Sequence, residues 1–151
     1  MILYRVAKLN YIKDLTGTGP RIAGSRWSPA GIPVIYTAES RALAAMEFYA
    51  HMKSTIPFPA VRVAGIKVPD KASLRILDVS SLPPDWKKYP APEVLQEYGK
   101  RWVDSGKELL LQVPSVLVPH EFNYLINPDH PDMKDVKIIS VEELDYDRFK
   151  K

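Results

Sequence analysis

The chain contains no cysteine, so its fold owes nothing to disulfide bonds, and neither a Cys₄ zinc site nor a cysteine nucleophile is available. Histidine is scarce as well, and His51, His120 and His130 are too scattered for a recognisable metal motif. No stretch approaches the roughly 20 apolar residues that a membrane span requires. Charges interrupt the first apolar run, which is wrong for a secretory signal peptide. These absences predict a soluble cytoplasmic protein that holds no metal and crosses no membrane.

A strong excess of positive charge is also missing. The 21 basic and 18 acidic residues leave a net charge of only +3. Proteins that bind nucleic acid usually gather their basic residues on one face, whereas the short basic clusters here are scattered along the chain. The sequence therefore predicts no direct binding of nucleic acid, and a nucleic-acid-binding domain is the weakest of the functional alternatives.

What the sequence does contain is typical of a globular protein. Hydrophobic residues make up 46% of the 151 positions, an ordinary share for a domain with a packed core. There is no internal repeat, low-complexity tract or linker. We therefore expect a single domain over residues 1–151.

Short strands outnumber helices in the predicted secondary structure. The predicted strands cover residues 1–6 (an edge strand), 33–38, 60–68 (with a bulge at Ala64-Gly65), 74–79, 109–113, 115–118 and 136–141. Helices are predicted over about 41–52, with Ser40 as N-cap, over 93–105, ending at Gly106, and over the last few residues. Residues 16–25 read as a polar, Gly-rich loop. The absence of regular βαβ alternation disfavours a doubly wound fold, so we predict an α+β fold with an antiparallel or mixed sheet.

An acidic residue interrupts the apolar face of the first long helix. Leu43, Met46 and Ala50 are spaced three and four residues apart, and Glu47 lies among them. A carboxylate on an apolar stripe is costly to desolvate unless it is paired or belongs to a site. The helix alone leaves two interpretations open: a structural acid at the edge of the stripe, or a functional acid.

Tyr36 and Arg26 are the candidates that precede this helix. Tyr36 lies on the strand that leads into it, eleven residues before Glu47, and a short turn can return Glu47 over the same face of the sheet. Arg26 follows the Gly-rich loop, where a guanidinium can bind two phosphate oxygens. The loop matches neither the dinucleotide fingerprint nor the P-loop. Core packing for Tyr36 and a surface position for Arg26 are the alternatives.

Late in the chain, Ser115 follows Pro114, and a block rich in Asn and Pro comes soon after. No G-x-S-x-G elbow surrounds Ser115, so we do not expect it to be a covalent nucleophile. Residues 127–132 are first of all a turn.

In this order the motifs resemble the RES domain, a family named after an Arg, a Glu and a Ser. Its pattern has an early Arg, a Gly-rich loop, G-x-R-W, then G-x-P-x-x-Y-x-A/S-x-S-x-x-x-A-x-x-E, a late P-S and N-x-x-x-N-P-x-H-P. The matching segments run from about residue 4 to 141 and are Tyr4-Arg5, 24–27, 31–40, Ala44, Glu47, Pro114-Ser115 and 123–131. One departure is that Ser25 and Ser28 replace the second Gly and the Asn of the frequent Gly-Gly-Arg-Trp-Asn.

The resemblance implies an ADP-ribosyltransferase-like fold, with two packed, mostly antiparallel sheets and a few flanking helices. It also implies the toxin of a bacterial toxin–antitoxin pair, with NAD⁺ as substrate. The implied partner is a helix-turn-helix antitoxin of the Xre type that covers the active site, and a homodimer within that complex is compatible with the family.

The residue roles follow from the same resemblance. Glu47 would stabilise the oxocarbenium-like state formed when the nicotinamide–ribose bond breaks, and Tyr36 would stack on the nicotinamide. The pyrophosphate would pair with Arg26, joined by Arg5. Ser115 would hydrogen-bond the ligand or Glu47. Three outcomes stay open: hydrolysis or phosphorolysis of NAD⁺, ADP-ribosyl transfer to a protein, and a non-catalytic binding module that keeps the fold.

Overall fold

A computed structural model describes residues 1–52 and 60–144. Within these ranges the chain forms seven strands, three α-helices and two short 3₁₀ helices. In chain order the strands and α-helices are β1 (Ile2–Lys8), α1 (Thr18–Ala23), β2 (Ile35–Ala38), α2 (Arg41–His51), β3 (Val61–Lys67), β4 (Leu74–Ile76), α3 (Val94–Ser105), β5 (Leu110–Pro114), β6 (Phe122–Ile126) and β7 (Lys137–Glu143). The 3₁₀ helices are Val79–Ser81 and Pro131–Asp135.

The strands form one sheet in the order β4-β5-β6-β2-β1-β3-β7. Neighbouring strands are antiparallel, except that β4 and β5 are parallel. The predicted α+β class and the mostly antiparallel pairing are confirmed, while the two packed sheets of the prediction are the two halves of one sheet. The two halves form one sheet because β2 and β1 are joined through the single pair Tyr4–Ala38. This junction links a four-stranded half to a three-stranded half.

The two halves share a hydrophobic core. One cluster of buried side chains combines Leu3 and Ile66, from β1 and β3, with Leu110 and Ile126, from β5 and β6. The packing expected between two sheets therefore occurs between the halves of one sheet. A second cluster lies on the other face of β5, β6 and β2, where α3 contributes the fully buried Trp102.

Helix α2 has its predicted start, but it packs on a different face from the one expected. The Ser40 hydroxyl accepts a hydrogen bond from the Leu43 backbone N–H, as an N-cap does. Leu43 and Ala44 are buried against Ala38, whereas Met46 and Ala50 of the predicted apolar stripe are exposed. Glu47 lies three and four residues after the buried pair, so it shares the face that contacts the sheet.

Several local predictions need correction. Strand β1 lies between β2 and β3 and is not an edge strand. The predicted loop over 16–25 contains α1. Residues 115–118 form a bent, irregular segment in place of a strand. Strand β6 was not predicted, because no element was assigned to residues 122–126 and the residues that follow them, 127–132, were taken as a turn. The bulge predicted at Ala64-Gly65 of β3 lies on the partner strand β7 instead: Gly65 pairs with Ser140 and Ile66 with Ile138, which leaves Ile139 as the extra residue. The predicted terminal helix lies outside the described residues.

The N-P-x-H-P block is a structural turn, as predicted. The Asn127 side-chain oxygen accepts a hydrogen bond from the Asp129 backbone N–H, and Nδ1 of His130 accepts one from the Asp132 N–H. His130 Nε2 also lies 3.1 Å from the Lys107 carbonyl, which ties the turn to the start of β5. Among the helices of residues 1–52 and 60–144, none combines the length and apolar character needed to cross a bilayer.

Candidate active site

Glu47 is the centre of the candidate site. Its side chain is only 21% exposed, and Oε1 accepts hydrogen bonds from Ser115 Oγ at 2.8 Å and from Asn123 Nδ2 at 2.9 Å. The other oxygen, Oε2, lies 3.8 Å from Nε2 of the exposed His51. Burial alone would raise the pKa of Glu47, but the nearby His51 and the hydrogen bonds from Asn123 and Ser115 outweigh it, so the pKa is lowered. Glu47 is therefore a carboxylate at neutral pH.

Ser115 contacts Glu47, as the family resemblance implied. The Ser115 hydroxyl donates to Glu47 and also accepts hydrogen bonds from the backbone N–H groups of Leu117 and Val118, both at 3.1 Å. A hydroxyl whose hydrogen points at a carboxylate and whose lone pairs face two N–H groups is fixed in orientation. This arrangement positions the carboxylate and leaves Ser115, which is 3% exposed, poorly placed as a nucleophile.

Asn123 is the residue that the sequence reasoning missed. It lies on the unpredicted strand β6, opposite Ala38 of β2 and Val113 of β5. The register places it on the same face of the sheet as Tyr36, two residues before Ala38. Asn123 stands first in the N-x-x-x-N-P block, so its place in the motif was visible, but its reach to Glu47 depends on the pairing of β6 with β2.

Tyr36 is held by the two serines that depart from the usual family loop. Its hydroxyl is hydrogen-bonded to Ser25 Oγ, which lies 2.7 Å from Ser28 Oγ. Burial raises the pKa of Tyr36, against the effect of hydrogen bonds from Ser25, Ser28 and the Trp27 backbone, so the hydroxyl stays neutral at physiological pH. Ser25 and Ser28 thus maintain the loop and connect it to β2.

Arg26 lies close enough to Glu47 and Tyr36 to interact with both electrostatically. Burial lowers the pKa of Arg26, whereas the electrostatic interactions with Glu47 and Tyr36 raise it. The guanidinium remains charged at neutral pH. Its Nη1 donates hydrogen bonds to the carbonyls of Trp86 at 2.8 Å and Lys88 at 3.1 Å. Nη1 of the guanidinium therefore anchors a loop, and within residues 1–52 and 60–144 the other N–H groups of Arg26 have no hydrogen-bond partner.

Arg5 is not part of the Glu47 cluster. Strand alternation places it with the core residues Leu3 and Ala7, on the face of β1 opposite to α2. Its Nη1 donates to the backbone carbonyls of Tyr11 and Ile12, at 3.0 and 2.9 Å. Burial lowers the pKa of Arg5, and nearby Asp14 acts in the opposite direction.

A cleft of about 550 Å³ opens where β1 and β2 separate beyond the Tyr4–Ala38 pair. This volume is within the range of small-molecule sites. Its walls include Arg5 and Lys8 of β1, Tyr36 of β2 and Phe48 of α2. Arg26, Glu47 and Ser115 do not line it, so the cleft and the Glu47 cluster meet at Tyr36. The cleft offers cations for an anionic ligand and aromatic rings for stacking.

The remaining titratable side chains do not suggest a metal site. In the ranges 1–52 and 60–144, no group of three or more His, Asp or Glu side chains is arranged to hold a metal ion. Of the three histidines, His51 lies beside Glu47 and His130 belongs to the turn before β7. His120 lies in the loop before β6 with a φ of 65°.

Known toxins resemble this chain in sequence. The chain is 42% identical over 137 residues to a Prs ADP-ribosylating toxin of Sphingobium sp., covering 89% of this chain and 84% of that protein. It is 38% identical to a Toxin Res of Pseudomonas putida, covering 91% of this chain and 92% of the relative.

The fold comparison agrees with these relatives. The chain matches a crystal structure of the M. tuberculosis MbcT–MbcA toxin–antitoxin complex with a TM-score of 0.77 at 18% identity, over 99% of this chain and 86% of that one. The family described as RES domain matches residues 2–148. With nearly the whole sequence matched and two relatives above 30% identity, this chain belongs to the RES domain family.

Proposed function

We propose that this protein is the toxin of a bacterial toxin–antitoxin pair and that it cleaves NAD⁺ at the nicotinamide–ribose bond. The observation that carries the proposal is the buried Glu47 carboxylate, held by Ser115 and Asn123 and within electrostatic range of Arg26, which in turn interacts with Tyr36. Family membership and the names of the relatives support the same reading.

The chemistry follows from a negative charge beside the ribose. When the C1′–N1 bond breaks, its electron pair goes to the nicotinamide nitrogen, and positive charge develops on the ribose as an oxocarbenium ion. The Glu47 carboxylate stabilises that charge. A water or phosphate oxygen then attacks C1′, and an attacking water gives up its proton to Glu47 and from there to solvent. Neutral nicotinamide is a good leaving group, so this step needs no separate general acid.

Substrate binding is assigned to the cleft between β1 and β2. Tyr36 lines it and presents an aromatic ring, which suits the cationic nicotinamide. Arg26 does not line the cleft, so it would bind the pyrophosphate from the adjoining Glu47 cluster, through the N–H groups that the Trp86 and Lys88 carbonyls do not engage. Arg5 lines the same cleft from β1 and contributes positive charge, although two backbone carbonyls already occupy its Nη1.

A second candidate function is ADP-ribosyl transfer to a protein, which the name of the 42% identical relative favours. The two reactions share the cleavage step and differ in the group that attacks C1′. They are separated by incubating the purified protein with NAD⁺ alone, with added phosphate, and with cell extract and labelled NAD⁺. Free nicotinamide with unlabelled proteins excludes transfer as the main activity, and a labelled protein band excludes simple hydrolysis.

The test of catalysis itself is Glu47→Gln, which keeps the side chain's size and removes its charge. We expect it to abolish both NAD⁺ consumption and growth arrest while the protein stays folded by circular dichroism. If Glu47→Gln still arrests growth, the protein acts as a binding module and the enzymatic proposal is wrong. Glu121→Gln, a partly exposed glutamate in the loop before β6, is the control and should retain full activity.

The proposal includes a cognate antitoxin that covers the cleft and acts with the toxin in the cytoplasm. The fold neighbour was solved as a toxin–antitoxin complex, which supports a partner of this kind. A helix-turn-helix protein of the Xre type, encoded next to this chain, is the expected form. Co-expression of that neighbouring frame should abolish growth arrest and protect NAD⁺, and failure to do both removes this part of the proposal.

A further inference from the structure

The two oxygens of the Glu47 carboxylate have different surroundings. Oε1 accepts from both Ser115 and Asn123, at 2.8 and 2.9 Å. Oε2 accepts no hydrogen bond within the described residues; the exposed His51 lies 3.8 Å from it, which is too long for a hydrogen bond. The terminal torsion of a glutamate side chain has a broad, shallow energy profile. Two hydrogen bonds to one oxygen therefore restrict a rotation of the Glu47 carboxylate that would otherwise be nearly free.

The orientation of the Asn123 amide follows from its partner. A carboxylate can only accept hydrogen bonds, so the NH₂ group of Asn123 must face Glu47 and the carbonyl must face away. That carbonyl oxygen, Oδ1, is buried and makes no hydrogen bond within residues 1–52 and 60–144. A buried acceptor without a donor is costly. If Asn123 only packed within β6, nothing would require its carbonyl oxygen to be buried without a hydrogen-bond donor.

A second buried asparagine provides the comparison. Asn127 lies just after β6, and its side-chain oxygen accepts from the Asp129 N–H at 3.0 Å. Its backbone N–H donates to the Leu109 carbonyl. Asn127 thus has the bonding expected of an asparagine that stabilises a turn, whereas the Asn123 side chain, among the described residues, bonds only to Glu47.

We propose that Asn123 is a positioning residue that, with Ser115, fixes Oε1 of Glu47 and leaves Oε2 as the oxygen that faces the nicotinamide ribose. The inference rests on the proposed cleavage of NAD⁺ and adds that the two carboxylate oxygens have different roles: Oε1 holds the side chain in place and Oε2 faces the substrate. Asn123 acts through Glu47 and does not itself touch the reacting atoms.

The test compares Asn123→Asp with Asn127→Asp, the same nearly isosteric change at two buried sites. At position 123 it places a second carboxylate against Glu47, and like charges this close cannot both ionise easily. We expect NAD⁺ consumption to fall at least about tenfold at neutral pH and to recover in acid, where one shared proton restores a donor to Oε1. Asn127→Asp keeps its acceptor oxygen and should follow the wild-type pH profile.

A readout other than turnover keeps the two proposals separable. In a ¹³C NMR titration, Asn123→Ala should move the titration of the Glu47 carboxyl to higher pH, since an ionic hydrogen bond is lost. Asn123→Ala also remains informative if Asn123→Asp fails to fold. An unchanged Glu47 titration, or a wild-type pH profile for Asn123→Asp, overturns the positioning role while the proposed function stands. A wild-type protein that does not consume NAD⁺ overturns the proposed function and the role of Oε2 with it.

Discussion

The hydroxyl of Ser25 is hydrogen-bonded to the hydroxyl of Tyr36, eleven residues further along the chain. Ser25 belongs to the loop that carries Arg26, and Tyr36 lies on β2, so this contact joins two of the candidate site's elements. Gln96 of α3 holds the same loop through the Ser25 carbonyl, at 2.9 Å. The loop is therefore fixed against both the sheet and a helix before any ligand binds.

The first prediction concerns this hydroxyl pair. Tyr36→Phe keeps the ring proposed to stack on nicotinamide but removes the hydroxyl that bonds to Ser25. Ser25→Ala removes the other hydroxyl of the same hydrogen bond. We expect each to lower kcat for NAD⁺ consumption by roughly threefold to tenfold, and the double variant to be no worse than either, because both remove the same interaction. Steady-state kinetics over the four proteins tests this. Losses that multiply in the double variant would show that the two hydroxyls act separately.

The second prediction concerns the anchoring of a loop by Arg26. Arg26→Lys keeps the positive charge but loses the planar group whose Nη1 reaches the Trp86 and Lys88 carbonyls. We expect KM for NAD⁺ to rise several-fold and the amide protons of residues 86–88 to exchange faster with solvent. Arg21→Lys, at an exposed position of α1, is the matched control. Unchanged exchange at residues 86–88 would contradict the anchoring role.

The third prediction concerns pH and stability. The pKa of Glu47 is lowered in the folded protein, so its contribution is fully present above the unfolded value of about 4.3. That contribution is lost as the pH falls through the lower folded pKa. The difference in unfolding free energy between wild type and Glu47→Gln should therefore shrink between pH 6 and pH 3. Urea unfolding at each pH measures it, and a difference that grows in acid would indicate a raised pKa instead.

The fourth prediction concerns Gly99 of α3, where the helix approaches the Trp27 backbone. A Cβ at this position would lie 1.9 Å from the Trp27 carbonyl oxygen, so Gly99→Ala must move either α3 or the loop next to Arg26. We expect a loss of about 2–3 kcal/mol of stability together with reduced NAD⁺ consumption. Gly19→Ala in α1 meets nothing within 4 Å and should change stability by less than about 1 kcal/mol. Equal thermal unfolding of the two variants would contradict the close approach.

Local signals explain the parts of the fold that were predictable. Ser40 caps α2 within one turn, and Gly106 ends α3 in a left-handed conformation with a φ of 62°. The alternation of Val34, Ile35 and Tyr36, at the start of β2, is also as predicted. Ile35 packs in the cluster that the two halves of the sheet share, and Val34 and Tyr36 pack in the cluster that contains Trp102. Strand β6 was missed because its neighbours in sequence are turn residues, while its partners β2 and β5 lie elsewhere in the chain.

The family pattern predicted most of the candidate site, but not how its members connect. Arg26, Tyr36, Glu47 and Ser115 were predicted together, and the structure places Glu47 against Ser115 and within electrostatic range of Arg26. Arg5 was predicted beside Arg26 but lies on the opposite face of β1. The alternation of β1 sends Tyr4 and Val6 toward α2 and leaves Arg5 with the other core, so Arg5 lies apart from the Glu47 cluster, and its binding role stays a prediction. The roles of all five residues in catalysis or binding stay predictions, as does the single domain over residues 1–151.

By itself, the sequence determined what depends on neighbours a few residues apart: the caps of the helices, the faces of the strands, the α+β class and the identity of the reactive side chains. Only the tertiary structure decided which of these side chains meet. The hydrogen bonds of Ser115 and Asn123 to Glu47 span 68 and 76 residues, and they exist because β6 pairs with both β2 and β5. The cleft likewise exists because β1 and β2 share the single pair Tyr4–Ala38 and then separate. Strand order and register are properties of the assembled sheet, which no local pattern specifies.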